Sequence, residues 1–311
     1  MSIYRHLQSQ ISNLQSQISM LFRHYLLTRF NIPIWRADKN GAPTLTDEWL
    51  QRRFELFDQF CLPSIMAQTN KNFLWVVLFD RNTPQQWKER IETYRSRCQQ
   101  FHPVFVKHEA GRLFQRVFQE VIADDIRKEH EKGTAYDAVL STYFDNDDAL
   151  RISFVEDLHR DVTTLSFHES TFISYRRGVQ YFTDMNIATA VNYRNNHFLS
   201  LLEPVVEGKA PRTVFGFGSH SSLSIFEGCQ VKVIKNKRPA WAEVVHGSNV
   251  LNDVLVRRWP SLVTNYTTLK DDFAIDVSLS PHSRKLFFTR FFPRMMKANG
   301  RFLRDKFKSK Q

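Results

Sequence analysis

Cysteine is scarce in this 311-residue chain, and long apolar runs are missing from it. The three cysteines, Cys61, Cys98 and Cys229, lie far apart without a Cys-x-x-Cys pair, which excludes the usual zinc, haem and dithiol motifs and indicates a reducing compartment. The longest apolar run, 73–79, is far shorter than the roughly 20 residues that a transmembrane helix needs. The N-terminus lacks the basic, apolar and small-residue succession of a secretory signal, so we expect a cytoplasmic protein.

The glycine motifs that usually bind nucleotides are also missing. The ten glycines form neither a Gly-x-Gly-x-x-Gly fingerprint nor a P-loop, which argues against the common dinucleotide and ATP sites. No Gly-x-Ser-x-Gly elbow is present, which argues against a serine hydrolase. The length allows one large α/β domain or two ordinary domains.

Positive charge is concentrated at the C-terminus. Residues 284–311 carry ten Lys or Arg against Asp305, a local balance of +9, so the total of +11 leaves only +2 for residues 1–283. A nearly neutral body argues against nucleic acid as the partner, although RNA binding through the tail stays an alternative. Aromatic residues alternate with these cations, which is typical of a segment that contacts the inner face of an anionic membrane. The other interpretation is a core-docked helix with a frayed basic end.

The chain divides by composition and periodicity. A Gln- and Ser-rich start carries apolar residues at heptad spacing, which predicts a short helix or an oligomerisation handle without chemistry of its own. From His24 onward, short apolar runs alternate with amphipathic stretches, the pattern of a mostly parallel sheet covered by helices. The predicted divisions are an extension over 1–22, a main domain over 23–265 with a nucleotide-binding half 23–150 and an acceptor half 151–265, and a basic aromatic tail over 266–311.

Strands and helices are predicted most clearly in the first half of the chain. A helix should start at Thr46 and end or kink at Pro63, and another should start at Thr83 with Pro84 as its first residue. A third helix is predicted over 113–127. The predicted strands are 25–30, 73–79, 104–107 and 138–144.

Four polar residues follow the last of these strands. In an extended chain Asp145 and Asp147 would project to one side, and Asn146 and Asp148 to the other. Adjacent carboxylates favour a hard cation such as Mn²⁺ or Mg²⁺, which proteins often bind together with substrate phosphates. The alternative is that Asp147 or Asp148 caps a helix. An EF-hand loop is excluded because apolar residues replace its oxygen ligand and its turn glycine.

Other strand ends point to the same crevice, because ligands of open α/β sheets bind at the carboxyl ends of the strands. Arg29 ends the first predicted strand and could touch phosphate, while Asp80 ends the second and could bind base or ribose. For Asp80, a plain turn role is the alternative. His246 follows a later apolar run and could complete a metal shell, although a lone histidine is often structural.

Several sequence blocks occur in a fixed order: HYLLTRFN (24–31), RFELF (53–57), CLPSI (61–65), WVVLFD (75–80), FDNDDAL (144–150) and VHGSN (245–249). Together they resemble the rhamnosyltransferase family of bacterial glycosyltransferases, from about residue 24 to 260. The resemblance implies a GT-A-like α/β fold, a nucleotide-diphosphate sugar donor, and a divalent metal bound by Asp145, Asp147 and His246. It also implies that Arg29 and Asp80 lie at the nucleotide end.

The expected reaction is attack of an acceptor hydroxyl on the anomeric carbon of the donor sugar. An inverting enzyme needs a carboxylate base, for which Asp184, Glu227 and Glu243 are candidates, with Glu243 preferred because it lies close to His246 in sequence. We expect a surface glycan or a lipid-linked glycan as the acceptor. The alternatives are a metal-dependent phosphohydrolase or nuclease, and a non-catalytic membrane- or nucleic-acid-binding protein.

Overall fold

The computed structural model describes residues 20–34, 37, 41, 43–217, 229–246, 260–265 and 268–308, with side chains up to residue 300. The heptad residues before Met20 lie outside this part of the chain. The strands are β1 (Phe22–Arg29), β2 (Leu74–Asp80), β3 (Phe101–Val106), β4 (Ala138–Tyr143), β5 (Ala149–Leu150), β6 (Thr171–Tyr175), β7 (Arg177–Phe182), β8 (Ile187–Asn192), β9 (Leu199–Pro204), β10 (Gln230–Ile234), β11 (Trp241–Val245) and β12 (Ser261–Leu262). The α-helices are α1 (Asp47–Leu56), α2 (Leu62–Met66), α3 (Gln85–Arg97), α4 (Phe114–Glu131), α5 (Phe154–Val162), α6 (Thr268–Phe273), α7 (Ser283–Leu286) and α8 (Phe292–Lys308).

A seven-stranded sheet with the order β10-β6-β9-β4-β1-β2-β3 forms the centre of the molecule. Its strands are parallel except β9, which runs antiparallel to both β4 and β6. The four strands predicted from apolar runs are β1 to β4, and they lie side by side. They lack apolar–polar alternation because helices cover both faces of the sheet. This mostly parallel sheet flanked by helices confirms the expected GT-A-like α/β fold.

The two faces of the central sheet carry separate cores. Along β1, Leu26 packs with the aromatic residues of α1 and α3, such as Phe54 and Tyr94. The next residue, Leu27, points to the other face and packs with Phe118 of α4. This alternation follows from the pleat of the strand, and it fixes the strand ends between the two helical layers.

A smaller sheet has the order β12-β8-β7-β11-β5, and its strands alternate along the chain with the later strands of the central sheet. The two-residue strand β5 pairs antiparallel with β11, and β7 is parallel to β11. The apolar pattern in the sequence predicts this sheet less clearly than the central one, because its strands are short and partly antiparallel. Trp241 of β11 joins the sheets, since its indole stacks on Phe198 before β9 and donates to the Tyr175 carbonyl of β6.

Prolines in the helices are accommodated by π-helical turns. The first helix was predicted to end or kink at Pro63, and it does not end there, because the chain stays helical through Pro63 to Met66. A π-helical segment, Phe57–Cys61, precedes Pro63, and another, Phe287–Phe291, precedes Pro293 in the same way. Since proline lacks an N–H and clashes with the carbonyl four residues back, the wider turn relieves that conflict without ending the helix.

The helix starts are close to those predicted. The Thr46 hydroxyl accepts a hydrogen bond from the Trp49 N–H at 3.2 Å and caps α1. Pro84 is the residue before α3 instead of its first helical residue, with extended backbone at φ −56° and ψ 150°. The third predicted helix is α4, which begins after a 3₁₀ turn over His108–Leu113.

The C-terminal segment is helical and docked on the smaller sheet. Phe291 and Met295 are buried against Phe182, Ile187 and Val245. The core-docked interpretation of the basic tail is therefore correct for this face of the helix. Across the described residues, no helix combines the length and the apolar character that crossing a membrane requires.

Gly178 provides a test of the junction between the sheets, because a Cβ atom there would overlap the indole ring of Trp241. We expect Gly178→Ala to lower the free energy of unfolding by about 1–3 kcal/mol through overpacking. The matched control is Gly300→Ala, where a Cβ meets no atom within 4 Å. In a helix this change should be neutral or stabilising by up to about 1 kcal/mol. Urea denaturation of both variants measures the difference, and similar effects at the two sites would contradict the assigned packing.

Candidate active site

The acidic residues lie in a turn at the carboxyl end of β4. The strand ends at Tyr143, so the predicted alternation of Asp145 and Asp147 against Asp148 is wrong beyond that point. The turn leads directly into β5 and so carries the chain from the central sheet to the smaller one. The capping alternative is also wrong, because α5 begins only at Phe154, after β5.

Asp147 is held in the interior by two basic groups. Its Oδ2 lies 2.8 Å from Nη1 of Arg53 and 2.8 Å from Nε2 of His246. Arg53 projects from α1, and His246 follows β11. Burial alone would raise the pKa of the Asp147 carboxyl, but the Arg53 charge and the His246 hydrogen bond outweigh it and hold that pKa well below its usual range. Asp147 is therefore a buried anion with its partners in place.

Asp148 faces a different set of partners. Its Oδ1 accepts the Val244 N–H at 2.8 Å, and its Oδ2 lies 2.8 Å from Nε2 of His197. Burial raises the pKa of Asp148, and the Asp147 charge raises it further. Burial lowers the pKa of His197, but the Asp148 carboxylate more than reverses this and raises it. The pair binds a proton tightly, and a cation held at these atoms would displace that proton.

Asp145 is the most exposed of the three carboxylates, with 32% of its side chain accessible. Its oxygens accept a hydrogen bond from the Tyr143 hydroxyl at 3.0 and 3.1 Å, and Nη2 of Arg29 lies 3.6 Å away. Arg29 also donates to the Tyr143 hydroxyl at 2.6 Å. Aromatic rings surround its guanidinium, with Phe114 and Phe215 centroids 5.0 and 5.2 Å from Cζ. A cation is thus fixed beside an accessible carboxylate at the rim of the sheet.

Asn146 fixes the backbone of the turn. Its amide nitrogen donates to the carbonyls of Arg29 and Phe30 at 3.2 and 2.9 Å, and its amide oxygen accepts from Arg53 at 3.1 Å. These bonds tie the turn after β4 to the end of the neighbouring β1 and to α1. The direction of the flanking carboxylates is therefore set by buried contacts.

Asp145, Asp148 and His197 form a group that could hold a metal ion. Each offers one ligand atom, and these atoms lie within 4.8 Å of one another. Two carboxylates and one imidazole suit Mn²⁺ better than Mg²⁺, which prefers oxygen ligands throughout. The predicted ligands Asp147 and His246 are bonded to each other instead and do not belong to this group.

The remaining predicted residues belong to other strands and turns. Asp80 ends β2, is buried, and bonds to the His108 imidazole and the Asn82 N–H. Glu243 is buried in β11, where it accepts from Gln180 at 2.8 Å and lies close enough to raise the pKa of His197. Asp184 follows β7, is half-exposed and pairs with Arg294 at 3.3 Å. Glu227 lies outside the described residues.

Sequence reasoning missed His197 and Arg53. His197 precedes β9, whose start lies beside the end of β4, as the pairing of Ser200 with Thr142 shows. An antiparallel strand brings the residues before its start to the edge where parallel strands end. Finding His197 required the pairing of segments about 55 residues apart, which no local pattern indicates.

The Asp147 ion pair should support the fold. Replacing Asp147 by Asn leaves Arg53, 11% exposed, without its carboxylate, so we expect a loss of about 3–5 kcal/mol in the free energy of unfolding. Because the folded pKa of Asp147 is lowered, its contribution is present above about pH 4 and is lost as pH falls further. Urea denaturation across this pH range measures both effects.

The control for this experiment is Asp184→Asn, the same substitution at a half-exposed ion pair. It should change the free energy of unfolding by less than about 1 kcal/mol. Equal losses in the two variants would contradict the supporting role of Asp147.

The chain matches a known protein family. The chain matches the model of the family described as "Putative rhamnosyl transferase" over residues 18–258, well over half of its length. No curated protein matches it. The resemblance drawn from the sequence blocks is confirmed, and the chain belongs to this rhamnosyl transferase family, a family of glycosyltransferases.

Proposed function

We propose that the protein transfers a sugar from a nucleotide-diphosphate donor to an acceptor hydroxyl, in the crevice at the carboxyl ends of β1, β2 and β4. The observation that carries this proposal is the convergence of Asp145, Asp148 and His197 beside Arg29 at this edge. Open α/β sheets bind their ligands at this edge. A divalent cation together with a fixed guanidinium suits a diphosphate group.

The proposed cation ligands are the Asp145 and Asp148 carboxylates and the His197 imidazole. A divalent cation bound there would neutralise the charge that develops on the departing nucleotide diphosphate. The Asp145 side chain is 32% accessible, whereas Asp148 is buried and accepts the Val244 N–H. Asp147 would keep this geometry indirectly, since its own carboxylate is occupied by Arg53 and His246.

We propose that Arg29 and Asp80 bind the nucleotide part of the donor. The Arg29 guanidinium is fixed by the Tyr143 hydroxyl and the surrounding rings, so it would contact a phosphate oxygen with little loss of side-chain freedom. Asp80 lies two strands from Asp145 in the sheet order, at the end where the base would bind. Its hydrogen bonds to His108 and Asn82 support a second role in holding the turn after β2.

The proposed mechanism is inverting, with a carboxylate that takes the proton of the acceptor hydroxyl. Glu243 is buried and bonded to Gln180, which suits a role beside His197 better than contact with an acceptor. Asp184 is accessible and lies at the carboxyl end of β7, next to the end of β11 from which His246 continues. We therefore propose Asp184 as the base. The family description supports rhamnose as the sugar, and a surface or lipid-linked glycan as acceptor is part of the proposal.

Calorimetric titration of UDP, GDP and dTDP, with and without Mn²⁺, tests the nucleotide site. One nucleotide should bind with at least about tenfold higher affinity in the presence of Mn²⁺, because the cation neutralises the diphosphate. Asp145→Asn, Asp148→Asn and His197→Ala should each lose this metal-dependent gain.

Two controls separate the ligand assignments in this experiment. Asp276→Asn alters a carboxylate that is 90% exposed and pairs with Lys270, so it should bind like the unaltered protein. Folded Asp147→Asn protein should keep metal-dependent binding if Asp147 is not a ligand. Binding that is lost in Asp147→Asn but kept in Asp148→Asn would instead support Asp147 and His246 as the metal ligands.

The assignment of Asp184 can be tested once the donor base is known. We expect Asp184→Asn to lower the rate of sugar transfer by about 10²–10⁴-fold, because a general base is removed. The metal-dependent affinity for the nucleotide should stay the same, since Asp184 does not contact the donor. A transfer rate within about threefold of the unaltered protein would exclude Asp184 as the base.

A further inference from the structure

The C-terminal helix exposes a line of large apolar side chains to solvent. Phe288, Phe292 and Met296 are spaced four residues apart and are 67%, 45% and 52% exposed. Residues at this spacing lie on the same face of a helix. We call these three residues the apolar stripe. Single exposed apolar residues are ordinary on protein surfaces, whereas a contiguous set marks an interaction surface.

The stripe is held at the surface by packing on the opposite side of the helix. Phe291 is fully buried and Met295 is 6% exposed, and both join a core that includes Phe182 and Val245. The inward face is therefore already covered by the smaller sheet. Rotating the helix to bury the stripe would expose this core, so the smaller sheet cannot cover both faces of the helix at once.

The helix that carries the stripe is strongly basic. Between Ser283 and Gly300 the helix carries five basic residues and no acidic one. Four of these cations are exposed, and the fifth, Arg294, pairs with Asp184. The sequence after Gly300 adds five more cations against Asp305. A partner for this face must be apolar beneath and anionic at its surface. The five basic residues are Arg284, Lys285, Arg290, Arg294 and Lys297.

We propose that the apolar stripe docks on a lipid bilayer with anionic headgroups. Phe288, Phe292 and Met296 would enter the boundary between headgroups and acyl chains, and the flanking cations would bind lipid phosphates. The helix would lie in the plane of the interface.

The position of the helix connects this surface to the candidate active site. Its inward face packs at the carboxyl ends of β7 and β11, where Thr183 donates to the Val245 carbonyl. The next residue after β11, His246, contacts Asp147 of the acidic turn. If the proposed glycosyl transfer is correct, docking would bring the crevice beside lipid-linked acceptors at the bilayer surface.

Vesicle co-sedimentation tests the proposal with the full chain. Vesicles of phosphatidylcholine with about 30% phosphatidylglycerol should bind the protein, and pure phosphatidylcholine should bind it far more weakly. Replacing Phe288, Phe292 and Met296 together by Ser should weaken binding to anionic vesicles by at least about tenfold, since the inserted apolar area is lost. Raising the salt concentration should weaken binding further by screening the cations.

The matched control replaces the exposed Val205 and Val206 by Ser. These residues follow β9 at the opposite edge of the central sheet, where the Val205 N–H bonds to Asp137 before β4. This variant should bind vesicles like the unaltered protein. Both variants should keep the thermal unfolding midpoint and the metal-dependent affinity for nucleotide, so failure of docking is distinguishable from failure of the catalytic proposal.

Three outcomes would overturn the docking proposal. The first is no preference for anionic vesicles, and the second is unchanged vesicle binding by the stripe variant. In the third, the unaltered protein does not bind vesicles but binds single-stranded RNA or forms a dimer detected by light scattering, and the stripe variant loses that RNA binding or that dimer. That result would assign the stripe to nucleic acid or to a second copy of the chain.

Discussion

The structure depends on the burial of two adjacent carboxylates. Asp147 and Asp148 are 7% and 2% exposed, and neither could stay charged there without strong partners. Asp147 is paired with Arg53 and His246, and Asp148 with His197 and the Val244 N–H. These partners come from α1, from β11 and its following residue, and from the segment before β9. The acidic turn therefore determines how three separate parts of the fold pack together.

The three carboxylates of this turn differ in their partners and in their exposure, although the sequence presents them as equivalent. Asp147 is paired with the Arg53 guanidinium and bonded to the His246 imidazole, so it links α1 to the residue after β11. Asp148 accepts a backbone N–H with one oxygen, and its second oxygen lies 2.8 Å from His197 Nε2, where we propose that a metal ion replaces the shared proton. Asp145 is the most exposed of the three carboxylates, and it lies next to the Arg29 guanidinium, which aromatic rings surround. Exposure falls from Asp145 to the buried Asp147 and Asp148, and the proposed donor site lies on the exposed side of this turn.

The sequence predicted the elements that depend on local patterns. The four parallel strands follow from apolar runs, and the start of α1 follows from the capping chemistry of Thr46. The strand-end rule predicted that Arg29 and Asp145 would face a common crevice, and they lie 3.6 Å apart at the ends of β1 and β4. The roles of Asp147 and Asp148 could not be separated, because a turn replaces the strand whose alternation was used to assign them.

Other features depend on pairings between distant segments. His197 lies at the candidate site because β9 runs antiparallel beside β4. Arg53 contacts Asp147 from α1, although it comes 94 residues earlier in the chain. Continuation of the helix through Pro63 depends on a π turn that sequence rules do not anticipate. Local chemistry thus located the site, whereas tertiary pairing decided which side chains complete it.

The most direct test of this account is a crystal structure with Mn²⁺ and the nucleotide diphosphate that binds, with the metal located by its anomalous scattering. The account predicts one peak within bonding distance of the Asp145 and Asp148 carboxylates and of the His197 imidazole, with the Arg53 and Asp147 ion pair intact. A peak between Asp147 and His246 with Arg53 displaced, or a bound nucleotide without any metal at this turn, would contradict it.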